Sequence, residues 1–121
     1  MTRLLRYTLV GGVATAVHYT LLALFVETFG WPAWLASGAG AAIGAQVAYF
    51  GNRRFTFAYR GGYGASWLKF QATALVGALQ GMVVVGVGVH LGLHYLAAQV
   101  LATLSGLLLT FAVNRIWTFG R

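Results

Sequence analysis

The chain has 121 residues, of which 60% are hydrophobic and only 7% are charged. A soluble domain carries roughly 25% charged residues to face water, so this composition excludes a water-soluble globule and predicts a protein solvated by lipid. Eight Lys and Arg residues against one acid give a formal net charge of +7, but they border long apolar runs and form no water-facing stripe, which argues against nucleic-acid binding. No cysteine is present, which excludes disulfides and thiolate metal sites.

The first predicted element is a membrane-spanning helix over about 7–29. No charged residue lies between Tyr7 and Val26. Arg3 and Arg6 resemble the basic start of a signal peptide, but the apolar stretch of about 20 residues exceeds the roughly 7–15 of such a peptide. We therefore expect this helix to stay in the mature protein and not to be cleaved as a signal peptide.

The second predicted helix covers about 33–52. Before it, the segment Gly30–Trp34 contains Pro32, the single proline of the chain, between two tryptophans. Proline is well tolerated at the start of a helix, and tryptophan favours the headgroup level of a membrane. This pattern predicts a tight turn at one membrane surface.

The third and fourth predicted helices share one uncharged run from Phe70 to Asn114. As a single helix this run would be about 67 Å long, against a hydrocarbon core of about 30 Å. It therefore folds back, and the glycine, histidines and tyrosine of His90–Tyr95 mark the turn. The spans are about 69–90 and 95–114, and all four are expected to be α-helices because backbone in lipid must satisfy its own hydrogen bonds.

The basic residues predict the orientation of the four spans. They all fall before span one, between spans two and three, or after span four, at Arg3, Arg6, Arg53, Arg54, Arg60, Lys69, Arg115 and Arg121. The opposite turns hold only Glu27, His90 and His94 as ionisable residues. The positive-inside rule then places the N-terminus, the central loop and the C-terminus in the cytoplasm.

The two halves of the chain resemble each other. Asn52–Phe57 reads NRRFTF and Asn114–Phe119 reads NRIWTF, at an offset of 62 (114 − 52). Arg6-Tyr7 likewise matches Lys69-Phe70. The fold class that we predict is an all-α membrane protein in which one domain, 1–121, contains two parallel helical hairpins, repeat 1 at about 6–57 and repeat 2 at about 69–119.

These features resemble the GtrA-like family. The resemblance rests on the paired Asn-Arg-x-aromatic-Thr-Phe ends, the Arg-Tyr-x-Leu-Val-Gly-Gly start at Arg6 and the four spans, and it extends to Phe119. It implies an inner-membrane protein of bacteria or archaea that acts in cell-surface polysaccharide or glycolipid synthesis. It further implies translocation of polyprenyl-phosphate-linked sugars beside a separate glycosyltransferase. Family members often carry an acidic or amide residue midway along the first span, where this chain has His18.

Two sets of residues are candidates for binding. The first set is expected at headgroup depth, where arginine can bind a phosphate through two parallel hydrogen bonds, and consists of Asn52, Arg53, Arg54, Asn114 and Arg115. Its alternative role is to fix topology within an aromatic belt. The second set lies at membrane depth as candidate pathway-lining residues, and consists of His18, Gln46 and Gln80. Its alternative role is hydrogen bonding between helices, worth about 0.6 kcal/mol each.

The remaining polar residues are expected at the membrane surface and not in a binding site. Glu27 lies at the outer end of span one, where a surface role is expected. His90 and His94 are four residues apart, but no third ligand is evident, so we expect an interfacial turn and no metal site.

Small residues recur along span two at Ala36, Gly40, Gly44 and Ala48. They favour close helix packing, and we expect a homodimer or larger oligomer, since four such helices do not readily enclose a sugar-sized passage.

The leading functional hypothesis is therefore translocation of a polyprenyl-phosphate-linked sugar across the cytoplasmic membrane, with that lipid, bulk membrane lipids and a membrane glycosyltransferase as partners. No catalytic pair and no cofactor are expected, because translocation breaks no bond. The alternative is a scaffold that recruits a glycosyltransferase. A small multidrug exporter fits less well, since such exporters depend on a carboxylate inside the first span and Glu27 lies at its edge.

Overall fold

The computed structural model describes residues 2–56 and 64–113. In these ranges the chain forms only helices: α1 (Arg3–Glu27), α2 (Ala33–Gly51), a π-helical segment (Asn52–Thr56), α3 (Gly64–His90) and α4 (Tyr95–Val113). The all-helical prediction is confirmed for these ranges. The repeats and the cytoplasmic placement of the termini stay predictions.

Two helices begin earlier than predicted. α1 begins at Arg3 instead of residue 7, because Thr2 caps it: the Thr2 hydroxyl accepts a hydrogen bond from the Leu5 N–H at 3.1 Å. Such a cap satisfies one of the free donors of the first turn. α3 begins at Gly64 instead of residue 69, so both helices extend past the basic residues that marked their ends in the sequence.

The first hairpin turns between Glu27 and Ala33 as predicted. Gly30 has φ of 69°, a backbone conformation that favours glycine. The Trp31 N–H donates to the Phe25 carbonyl at 3.0 Å, and the two rings stack at 4.5 Å between centroids. Pro32 is the cap before α2, one residue earlier than the first helical position.

The second hairpin turns between His90 and Tyr95, which confirms the predicted position. Gly92 has φ of 98°. The Leu93 N–H donates to the Gly88 carbonyl at 2.9 Å, and the Gly92 N–H donates to the Val89 carbonyl at 3.0 Å. These bonds satisfy the last carbonyls of α3, as a glycine after a helix end commonly allows.

Small residues allow the helices to pack closely. α2 packs against both α1 and α3, and α3 also packs against α4. A Cβ atom at Gly40 would lie 2.9 Å from both the ring Cδ2 and the backbone carbonyl oxygen of His18, and one at Gly88 would lie 2.8 Å from the Cβ of Ala98. Packing of this kind replaces the hydrophobic effect as the force between helices in lipid.

The outside of the bundle is apolar. Leu91 and Leu108 are 75% and 71% exposed, while the buried interior includes Leu22 and Val85. In the described part of the chain, the segments Leu5–Glu27 and Trp67–His90 are long and apolar enough to cross a membrane, and Tyr95–Leu109 is a shorter apolar helix. A surface of this composition is the one that lipid solvates.

Candidate functional site

The π-helical segment lies at the end of the bundle where α1 begins and α2 ends, which we call the Arg6 end. The Asn52 N–H donates to the carbonyls of both Ala48 and Tyr49, and the helix then widens over Asn52–Thr56. The segment packs against α1. π-helical insertions are rare and occur frequently at functional sites.

Two arginines from different elements lie at the Arg6 end. Arg53 belongs to the π-helical segment and Arg6 to α1, and each has one guanidinium nitrogen shielded from solvent, Nη1 of Arg53 and Nε of Arg6. Arg54 is exposed and Asn52 is half-buried. Asn114 and Arg115 lie outside the described residues. From the sequence, Arg6 was assigned to orientation, to the internal repeat and to the family motif but not to the binding set, although its position before the first span was a sign that it would lie with the other basic residues.

Next to the Arg6 end, α2 and α3 are joined by two side-chain amides that hydrogen-bond to each other. The Gln46 Nε2 donates to the Gln71 Oε1 at 2.8 Å, and the Gln71 Nε2 donates back to the Gln46 Oε1 at 3.1 Å. One turn nearer the Arg6 end, Tyr49 packs against Phe70 with ring centroids 5.3 Å apart. Gln46 therefore joins two helices, with a partner that the sequence analysis did not single out.

A second group of polar side chains lies farther from the Arg6 end, and we call it the interhelical polar network; its members are His18, Tyr19, Ser37, Gln99 and Thr103. The Ser37 hydroxyl donates to the Gln99 Oε1 at 2.5 Å, and the two residues are only 1% and 2% exposed. The Tyr19 hydroxyl lies 2.6 Å from the Thr103 hydroxyl and donates to the Gln99 carbonyl at 3.3 Å. The His18 Nε2 lies 3.1 Å from the Ser37 carbonyl oxygen.

Gln80 makes a separate contact between α3 and α4. Its Nε2 donates to the Ser105 hydroxyl at 2.6 Å and to the Ala102 carbonyl at 3.3 Å. The three predicted pathway residues are thus bonded to three different helices, His18 to α2, Gln46 to α3 and Gln80 to α4. The structure does not bring them together into one cluster.

The opposite end of the bundle carries the acid. Glu27, the last residue of α1, lies near Tyr95, the first residue of α4. The His94 Nδ1 accepts from the Leu96 N–H at 3.1 Å, so this histidine caps α4. No group of three metal-ligating side chains occurs in the described ranges. We call this end the Glu27 end.

Comparison with known proteins gives the family. The family model described as "GtrA/DPMS, transmembrane domain" matches residues 6–119. The chain belongs to the GtrA/DPMS transmembrane-domain family. No curated protein and no solved structure matches it. The GtrA-like assignment made from the sequence is confirmed, and with it a membrane location and a membrane role in glycan synthesis.

In this GtrA/DPMS domain the described polar groups fall into two layers. The Arg6 end offers guanidinium groups, which bind phosphate through charge-assisted hydrogen bonds. The interhelical polar network offers hydroxyl, amide and imidazole groups, and such side chains in membrane helices normally serve a pathway or a helix contact. Four of its five members were missed from the sequence; the available sign was that Ser37 and Gln99 are 62 residues apart (99 − 37), the offset of the repeated motifs.

Proposed function

We propose that this GtrA/DPMS domain translocates a polyprenyl-phosphate-linked sugar across the cytoplasmic membrane as a multi-pass inner-membrane protein. The observation that supports this most is the pair of partly shielded guanidinium groups, Arg6 and Arg53, at one end of a bundle that is otherwise apolar outside. A glycosyl phosphoprenol fits this arrangement, because its anionic phosphate lies at headgroup depth and its prenyl chain stays in lipid.

The phosphate is held at the Arg6 end. Arg53 and Arg54 follow Asn52 in the π-helical segment, and Asn114 and Arg115 repeat the motif in the second half of the sequence. Arginine is suited to this role because its planar group stays charged and presents two parallel donors to phosphate. A phosphate that is shielded from water and has no charged partner is costly, so the arginines hold it at this end. The sugar attached to the phosphate is then positioned at the bundle surface.

The remaining steps need no bond to break. The sugar crosses while its hydroxyls exchange hydrogen bonds with neutral polar groups, so neither a catalytic residue nor a cofactor is required. A separate membrane glycosyltransferase supplies the glycosyl phosphoprenol. A homodimer or larger assembly supplies the width that four closely packed helices lack.

The test is movement of lipid in proteoliposomes. The substrate is a tritiated-glucosyl phosphoprenol, and the fraction reaching the opposite leaflet is measured with membrane-impermeant periodate. We expect the parent chain to move it and the double variant Arg53→Gln/Arg54→Gln to be slower by about tenfold, a loss of about 1.4 kcal/mol. Lys69→Gln, which removes an exposed positive charge from α3, is the matched control and should retain the parent rate. A parent chain without movement rules out the translocase.

A scaffold for the glycosyltransferase is the second candidate. It is favoured by the separation of His18, Gln46 and Gln80, each of which is already bonded to a neighbouring helix. A scaffold predicts that the partner enzyme copurifies with the parent chain and loses activity without it, while lipid movement is absent. The multidrug-exporter alternative gains no support, because Glu27 is the last residue of α1 and does not lie inside the helix.

A further inference from the structure

His18 is a basic side chain far from both ends of its helix. It lies 12 residues (18 − 6) beyond Arg6 and nine residues (27 − 18) before Glu27, about 18 Å and 14 Å along α1. In the described part of the chain, every other Lys, Arg or His lies within two turns of a helix end or outside the α-helices. In the proposed multi-pass arrangement His18 is inside hydrocarbon, where an ionisable side chain is costly and normally has a function.

The structure uses only one edge of the His18 ring. The Nε2 lies 3.1 Å from the Ser37 carbonyl oxygen, and because a carbonyl only accepts, we assign the ring hydrogen to Nε2. The adjacent Cδ2 packs over Gly40, where a Cβ atom would lie 2.9 Å away. The Nδ1 of this neutral ring carries a lone pair, and no described residue hydrogen-bonds it. The contact with α2 therefore leaves Nδ1 able to take a proton.

The groups packed around His18 carry no charge that would balance such a proton. They are Ser37, Gly40 and Gly44 of α2, the neighbouring Tyr19 of α1, and Gln99 and Thr103 of α4, which join the ring through Tyr19 and Ser37. Tyr19 is the titratable member of this set. Neither α2 nor α4 contains Asp, Glu, Lys or Arg, and Glu27 is the only acid of the chain. An imidazolium at His18 therefore has no anionic partner within the chain.

The lipid that the proposed function moves has the opposite requirement. A glycosyl phosphoprenol is a phosphodiester and carries one negative charge, and an ion in a medium of low dielectric is costly unless an opposite charge lies beside it. Arg6 and Arg53 meet this requirement at the Arg6 end. Between that end and the Glu27 end, the described helices offer the phosphate no arginine or lysine. His18 is the side chain on this route that can become a cation.

We propose that protonated His18 is a second binding site for the phosphate, which the lipid reaches after it leaves the Arg6 end. The Nδ1–H donates to a phosphate oxygen, while the Nε2–H keeps its bond to the Ser37 carbonyl. One positive charge then balances one negative charge. Water on the side where the lipid enters supplies the proton, and the proton returns to water when the phosphate leaves. This site rests on the proposed function and deepens it, because the lipid crosses only when His18 holds a proton.

The sign of the pH dependence distinguishes this role from another role for the same ring. Phosphate binding and protonation of His18 favour each other, since the coupling between two ligands is reciprocal. Acid therefore speeds lipid movement. If neutral His18 instead accepted a sugar hydroxyl at Nδ1, acid would remove the acceptor and slow the movement.

The first experiment measures the rate of lipid movement in the proteoliposomes against pH, with periodate added at one fixed pH after each incubation. We expect the parent rate to fall about tenfold between about pH 5 and 8, where imidazole loses its charge. His18→Gln retains an N–H that can reach the Ser37 carbonyl but takes no proton, so it should show the slow rate at every pH. His90→Gln, at an exposed position that ends α3, is the matched control and should keep the parent profile. A parent rate that is independent of pH or rises with pH overturns the proposal.

The second experiment measures binding and needs no transport. The chain has three histidines, so His90→Gln/His94→Asn leaves His18 alone to be followed by 15N resonances of its ring in nanodiscs. The probes are glucosyl phosphoprenol and its uncharged analogue glucosyl prenol. We expect only the phosphorylated lipid to move the protonation midpoint of His18, by about one pH unit toward alkaline pH, which is a tenfold coupling. Equal midpoints with the two lipids overturn the proposal.

The two experiments distinguish this site from the proposed function. A shifted midpoint without lipid movement at any pH sinks the translocase and keeps a proton-linked phosphate site at His18. Lipid movement that ignores pH and survives His18→Gln keeps the translocase and sinks the site.

Discussion

The Ser37 hydroxyl donates to the Gln99 side chain at 2.5 Å, and the two residues are separated by 62 positions in the chain. Ser37 is the fifth residue of α2 and Gln99 the fifth of α4. One hydrogen bond thus joins equivalent positions of α2 and α4, about 6 Å along each helix from its start. A contact of this kind ties the hairpins together at a point where neither is exposed to lipid.

Ser37→Ala should destabilise the bundle, because it leaves the Gln99 Oε1 without its closest donor. Hydrogen bonds between membrane helices are worth about 0.6 kcal/mol on average and up to about 1.7 kcal/mol. We expect a lower midpoint of thermal unfolding in detergent. Thr20→Ala, on an exposed position of α1, is the control. Equal midpoints for the two variants would show that the bond contributes nothing measurable.

Gly40→Ala should also destabilise, for a steric reason. The added Cβ would lie 2.9 Å from the backbone carbonyl oxygen of His18, so α1 and α2 must separate, and overpacking of this kind costs about 1–3 kcal/mol. At Gly77, by contrast, nothing lies within 4 Å of such a Cβ. Gly77→Ala should therefore be neutral or stabilising through helix propensity, by up to about 1 kcal/mol. Guanidinium or SDS titration followed by circular dichroism measures both, and the idea fails if the two glycines respond alike.

The amide pair predicts a non-additive double mutant. Gln46→Leu alone leaves the half-buried Gln71 amide without its partner, whereas Gln46→Leu/Gln71→Leu removes both polar groups. Removing one partner of a fully buried pair costs about 1–3 kcal/mol, which is an upper limit for this half-buried pair, and removing both can be nearly neutral. We expect the double variant to unfold at a higher SDS fraction than either single variant. A double variant as unstable as the sum of the singles would contradict this pairing.

The second hairpin turn predicts a conformational cost. Gly92 has φ of 98°, which other residues adopt at a cost of about 1–2 kcal/mol. Gly92→Ala should lower stability by this amount although no atom lies within 4 Å of the new Cβ. Gly11→Ala, in open space but within helical backbone, is the matched control. If both alanine variants have the parent stability, the turn does not require glycine.

The two turns between helices could be predicted from the sequence because each rests on local chemistry. Gly30 with Pro32, and Gly92 between two histidines, interrupt apolar runs whose lengths are set by the bilayer. The early start of α1 was missed because Thr2 capping depends on one side-chain rotamer, and Arg3 and Arg6 were taken as the membrane boundary.

The interhelical polar network could not be predicted in the same way. Whether Ser37 meets Gln99 depends on the rotation of α2 and α4 about their axes, which is set by packing between helices and not by any local pattern. The π-helical segment after α2 was also missed. Its extra residue per turn occurs where the π-helical segment packs against α1. The motif Asn52–Phe57 is equally compatible with the end of an ordinary α-helix.

In the proposed multi-pass arrangement, the two turns leave very little protein outside the bilayer at the Glu27 end. Each is five or fewer residues long between helices, from Thr28 to Pro32 and from Leu91 to His94. A water-soluble domain on that side would have almost no surface to bind. If the proposed partner enzyme exists, it would therefore have to recognise the chain from the Arg6 side or from within the lipid, and antibodies or proteases applied to the Glu27 side should barely detect the described turns.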